Sequence, residues 1–220
     1  MSRQTAARKK QGNFWKTFEE VASHITSEGF DHPSGMVIVI HPKGGVRSLA
    51  VDEFELCEQS PTKQIPIGRG RYNLSECLVI RMLKTNHPEN TISYRFEEHT
   101  TGKVFVLLTD HENLDGMPNN LKRHLQRADL LVMDSQYTRK RYDDATSGFG
   151  HGTPDYCVNV ARRVGAARLG LIHHDPFSSD KQVSLILNEA ADCLTAMDSL
   201  SKEGSNLSLF ACRDYQTVEV

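Results

Sequence analysis

At 220 residues the chain is long enough for one well-buried domain and short for two. With 26 Lys and Arg against 28 Asp and Glu, the net charge of -2 excludes a broadly basic, nucleic-acid-coating protein but leaves room for a local basic patch. No apolar run reaches membrane-spanning length, and the first ten residues lack the apolar core of a secretory signal.

In chain order, residues 1–13 read as a disordered basic tail and 14–220 as a single domain. Phe14, Phe18, Val21, Ala22 and Ile25 recur at helical spacing. Met36 to Ile40 is an unbroken apolar run that predicts a buried strand, closed by His41-Pro42-Lys43-Gly44-Gly45. Glu58 to Gly70, with two prolines and two glycines, reads as loop. Beyond residue 71 the pattern sharpens. Leu78–Leu83 and Thr91–Phe96 read as strands flanking Asn86-His87-Pro88, and Thr101-Gly102 turns into a strand from Lys103 to Leu108. A short helix from Asn119 to Arg127 precedes a buried strand from Asp129 to Asp134. Thr153-Pro154-Asp155 opens a helix that runs to Val164 and that Gly165 ends. A strand at Arg168–Ile172, a long helix at Asp180–Leu200, and edge strands at Leu207–Ala211 and Gln216–Val220 complete the chain. Because the strands between 78 and 108 are consecutive and turn-linked, a doubly wound α/β domain ranks behind a sandwich.

The five cysteines (57, 77, 157, 193 and 212) are scattered, odd in number and free of any CxxC pair. That pattern predicts reduced thiols in a cytoplasmic protein, and neither a disulfide framework nor a Cys-rich zinc site.

The chemistry collects at strand ends. His87 precedes a proline, so its backbone is held extended; Asp110 and His173 each follow an apolar strand. Two imidazoles and a carboxylate are a usual ligand set for zinc, manganese or iron. Asp134 and His151 form a second pair, in which a buried carboxylate holds an imidazole in one tautomer and raises its pKa, so that the ring can protonate a leaving oxygen. Taken singly, each histidine is more often a surface residue, and His151 is equally placed to decorate the turn before Thr153 caps its helix. His111 and Glu112 read as a polar loop, and His174 as a residue that packs against or caps the next helix. Arg139-Lys140-Arg141 and Arg162-Arg163 read as solvated surface able to attract a phosphate, and Phe14 with Trp15 as a dimer contact.

From about Leu78 onward the chain resembles the C-terminal half of the metallo-β-lactamase-fold hydrolases, in the branch that holds ribonuclease Z and related phosphodiesterases. The matching positions are His87 in Asn-His-Pro, Asp110 in Leu-Thr-Asp, Asp134 closing Ala-Asp-Leu-Leu-Val-Met-Asp, His151 in His-Gly-Thr and His173 in Leu-Ile-His. The resemblance implies an α/β (α+β) fold, an αββα sandwich whose N-terminal half is truncated or degenerate, with 71–220 as the matched part. It implies that His87, Asp110 and His173 are metal ligands, for zinc with manganese or iron as alternatives, and that His151, oriented by Asp134, is the proton donor. The family's His-x-His-x-Asp-His signature is absent; its nearest counterpart, Ser27-Glu28-Gly29-Phe30-Asp31-His32, keeps the last two residues and has only 26 residues before it. The remaining ligands then suit one weakly held ion, completed by a second copy or another chain. Between His87 and Asp110 there is no space for the long arm with which ribonuclease Z holds tRNA, which points to a small phosphodiester or a nucleotide, cyclic ones included. The alternatives are a non-catalytic remnant serving as a binding or regulatory subunit, a ribonuclease Z-like RNA-processing nuclease, and a fragment of a shortened coding region.

Overall fold

A computed structural model describes residues 35–201 and 205–220. The tail at 1–13, the helical spacing at 14–25, the Ser27–His32 window and the Phe14–Trp15 contact lie outside the described residues. The chain divides into two compact units, one running to Arg81 and including Glu98–Thr101, the other comprising Met82–Glu97 and Gly102–Val220.

The first unit is built around β1 (Met36–His41), whose apolar run is buried almost throughout. It pairs antiparallel with β2 (Gly45–Ala50) on one side and with the first half of β5 (Leu78–Lys84) on the other, so that Ile38 faces both Ser48 and Ile80. The β1–β2 turn is closed by His41, whose Nδ1 accepts from the backbone N–H of Lys43 and Gly44 at 3.1 and 3.0 Å. Helix α1 (Val51–Gln59) buries Phe54 against Val37, Val39, Leu49 and Val79. The stretch expected to be loop from 58 to 70 instead contains β3 (Gln64–Ile67), paired antiparallel with β4 (Gly70–Asn73) in a two-stranded sheet. Ile65 and Ile67 alternate into the core with period two, and Pro66 is tolerated because a two-stranded ribbon leaves edge positions that need no ladder N–H.

The second unit carries the parallel strands. In order across its sheet stand β10 (Ser208–Ala211), β9 (Arg168–Ile172), β8 (Leu130–Asp134), β7 (Lys103–Leu108), β6 (Ile92–Glu98) and the second half of β5. β7, β8, β9 and β10 are mutually parallel. β8 is buried along its whole length, as expected of a central parallel strand covered on both faces. Helix α2 (Asn119–Leu125) buries Leu121 and Leu125. Helix α3 (Pro154–Val164) takes proline at its start and ends at Gly165, which adopts φ +69° as the left-handed cap. Its Cys157, Val160, Ala161 and Val164 recur at helical spacing, and all are buried against Leu131, Met133, Leu169 and Leu171; each of the two valines contributes about 1.5–3 kcal/mol. Helix α4 (Asp180–Leu200) starts at a capping box between Ser179 and Gln182, and it packs through Ile186 and Ala190. The edge strand expected at 216–220 does not form: residues 212–220 hold no strand, and most of that segment is exposed.

Candidate active site

Three parallel strands deliver their carboxyl ends to one edge of the sheet. The register sets Leu108 beside Met133 and Asp134 beside Ile172, so Asp110, Asp134 and His173 leave the sheet side by side. Ligand sites of open α/β sheets occupy this position, where the chain turns away from the ladder. Asp110 and His173 both take left-handed backbone conformations, φ +49° and +63°, which Asp and His adopt more readily than most residues. Each makes its strand end in a sharp turn.

His151 arrives from the loop before α3. Its Nδ1–H donates to Asp134 Oδ2 at 2.7 Å, and Nδ1 lies 4.0 Å from Asp110 Oδ1. The ring stacks on that of His173, with centroids 4.9 Å apart. His173 Nε2 reaches Asp110 Oδ1 at 3.0 Å, and its Nδ1 accepts from Gln136 Nε2 at 3.0 Å. The hydrogen bond to Asp134 is the main cause that raises the pKa of His151. Burial raises that of Asp134, opposed by the bond from His151. The imidazole of this pair therefore holds a second proton more firmly than a free histidine does.

Two glycines make this packing fit. A Cβ on Gly152 would stand 2.3 Å from the backbone oxygen of Asp134. One on Gly150, which has φ +94°, would stand 2.1 Å from the His87 ring. The tight approach of the 150–152 backbone to β8 and to His87 thus depends on residues without side chains.

Asp110, Asp134, His151 and His173 each offer a ligand atom within 4.8 Å of the others. This mixed set of carboxylates and imidazoles suits a divalent cation such as zinc or manganese. Asp134 Oδ1 is buried and has no hydrogen-bond partner among the described residues, an unfilled carboxylate oxygen beside the cluster. His87 stands beside this cluster and outside it. Its ring meets that of His151 edge-on at 5.5 Å, and its Nδ1 accepts from the Glu89 N–H at 3.1 Å, which places the proton of the neutral ring on Nε2.

The neighbours of Asp110 are more than the polar loop expected of them. His111 is buried, accepting from the Asn86 N–H at Nδ1 and meeting Tyr156 Oη at Nε2, both at 3.0 Å; burial depresses its pKa to about 4. The Glu112 N–H in turn donates to Asn86 O at 2.8 Å. Glu112 is also buried, and its carboxylate takes hydrogen bonds from the loop that carries His151. Both residues follow a strand end that already carries chemistry, and that position was the available sequence signal. Arg139 and Arg141, expected as solvated surface, are paired with Asp155 and Asp175. His174 is half-buried, and the cap of α4 that it was a candidate for belongs to Ser179. A recess of about 80 Å³ opens beside His151, between Asn113, Arg139, Tyr142 and Tyr156.

The sequence pattern described as the Beta-lactamase superfamily domain matches residues 52–174, more than half of the chain. No curated protein matches the chain in sequence. Among solved structures, the chain is similar to the metallo-beta-lactamase fold protein YhfI from Bacillus subtilis, at 16% identity and TM-score 0.44, over 74% of this chain and 58% of that one. It is also similar to the short form of human tRNase Z (21% identity, TM-score 0.38, 44% and 36% covered). A third is unliganded yeast PDE1 (11% identity, TM-score 0.45, 62% and 44% covered). The chain spans less than two thirds of the length of each of these structures.

Proposed function

The chain belongs to the beta-lactamase superfamily, with the metallo-β-lactamase fold, and we propose that it serves as a metal-dependent hydrolase of phosphodiester bonds in small or nucleotide-like substrates. The observation that carries this reading is the 2.7 Å bond from His151 to buried Asp134, set directly beside the Asp110–His173 pair. Asp110 and His173 would hold the ion, zinc before manganese or iron, with the Asp134 carboxylate close enough to contribute an oxygen. Bound there, a divalent cation supplies Lewis-acid polarisation of a phosphoryl oxygen.

The rest of the work falls to the chain's own groups. Asp134 keeps the Nδ1 proton of His151 in place and stabilises the imidazolium, so that Nε2–H is the proton available to a leaving oxygen. Gln136 fixes the plane of the His173 ring through Nδ1; for Nε2 to hold an ion, the ring proton moves to Nδ1 and the Gln136 amide turns its oxygen to accept it. A small substrate is favoured because β6, its turn and β7 fill the interval between His87 and Asp110, leaving no room in that interval for an arm that grips a large RNA. The full chain, assayed with added zinc or manganese on bis(4-nitrophenyl) phosphate and on a cyclic nucleotide, is expected to show metal-dependent turnover. His151→Ala and Asp134→Asn should lower kcat about 10²- to 10⁴-fold. Turnover unchanged in both variants would overturn the assignment of proton donor. The missing His-x-His-x-Asp-His favours a second reading, a non-catalytic binding subunit; metal uptake without turnover on any phosphodiester would select it.

A further inference from the structure

Glu112 is 1% exposed and lies two residues beyond Asp110, on the loop that leaves β7. A carboxylate so deeply buried is costly unless its lone pairs are filled. Here three donors fill them. Tyr142 Oη–H donates to Oε1 at 2.5 Å, the Gly148 N–H donates to Oε1 at 2.7 Å, and the Gly150 N–H donates to Oε2 at 2.9 Å. All three come from the single stretch between 142 and 150 that ends at His151. Tyr142 opens a π-helical turn (Tyr142–Thr146), a form of helix that recurs at functional positions.

The acceptor pattern is specific. Gly148 and Gly150 both have positive φ, +91° and +94°, so their amides are turned by the backbone towards one point, and Glu112 occupies it. Gly150 is also the residue on which the His87 ring rests. The next residue, His151, makes the bond to Asp134. On this geometry we propose that Glu112 is the positioning residue of the site. Through Gly148 and Gly150 it sets where His151 stands relative to Asp134, so that the strand end bearing Asp110 also dictates the place of the proton donor. The catalytic importance of this contact rests on the reading of His151 as proton donor; the positional claim does not.

The division of bonds between the two oxygens allows a selective test. In Glu112→Gln, the amide oxygen can keep Tyr142 and Gly148, while its NH₂ group is set against the Gly150 N–H, donor facing donor. The metal-free chain and its variants would be followed by NMR through the low-field Nδ1 proton of His151, the signature of its bond to Asp134. Glu112→Gln is expected to lose or move this resonance and to lower kcat about a hundredfold with KM little changed, the effect of misplacing a catalytic group by about an ångström. Tyr142→Phe removes one bond and leaves both glycine bonds; it should retain the resonance with faster proton exchange and lose only a few-fold in kcat. If Glu112→Gln does not fold, this variant decides alone, and a resonance and exchange rate equal to the parent's overturn the proposal. A folded Glu112→Gln with an unchanged His151 signal overturns it as well. The NMR readout needs neither metal nor substrate, so a chain that hydrolyses nothing would defeat the functional reading without touching this one.

Discussion

Asp134 and His151 meet with side chains 1% and 14% exposed, whereas Asp110 and His173, in the same cluster, meet at 27% and 39%. The first pair is surrounded by fixed groups: β8 beneath it, Gly152 pressed on the Asp134 backbone, and the loop clamped by Glu112. The second pair stands on two left-handed turns at the open end of the sheet, with Gln136 bonded to His173 and Thr91 to the Asp110 carbonyl. One pair is therefore an element of the fold with its proton geometry built in. The other is placed where an ion or substrate can reach it, and its arrangement leaves room to respond to what binds.

The contrast is sharpest in stability. Asp134→Ala removes one partner of a buried pair and leaves His151 without its acceptor, so it should destabilise the metal-free protein by about 3–5 kcal/mol in denaturant melts. A smaller effect is expected from His111, whose pKa is depressed to about 4 from 6.5 by burial. Below pH 6.5 the unfolded chain takes up a proton that the folded chain refuses, so stability is fully present above that pH and falls as the pH drops towards 4. The loss should reach about 3 kcal/mol, and urea melts of His111→Gln over the same range should show a flatter profile. Gly152→Ala forces a methyl group onto the Asp134 backbone and should cost about 2 kcal/mol, shifting the His151 resonance; Gly148→Ala meets open space and should cost only its positive-φ strain, about 1 kcal/mol. Asp110→Ala comes last, at about 1 kcal/mol without metal, because a partly exposed pair contributes little and the loss is mostly alanine's strain at φ +49°. Equal losses for Asp134→Ala and Asp110→Ala would erase the distinction between the two pairs.

Much of the second unit was legible in the sequence because its signals are local. Long apolar runs mark buried parallel strands, and Pro154 with Gly165 brackets α3. The strand at 64–67 was not legible, since Pro66 and the neighbouring glycines carry a loop signature that only the burial of Ile65 and Ile67 overrides. Asp110, Asp134, His151 and His173 stood out as candidates by their places after strands and before a helix, and the structure brings these residues together. His87 was found by the same reasoning, yet it lies against Gly150 at the edge of the cluster, a placement that follows from the path of one loop.

What the sequence by itself determined is which residues end the strands and which of them are ionisable, because strand length, alternation and capping are written within a few positions of one another. What only the tertiary structure decided is that His173 takes Asp110, that His87 stands outside their cluster, and that Glu112, twenty-two residues before Asp134 in the chain, holds the loop that carries His151, whose bond to Asp134 the sequence already predicts. Such pairings depend on strand register and on the close approach of glycine backbones. Both are fixed by packing between segments far apart in the chain, and no local pattern records them.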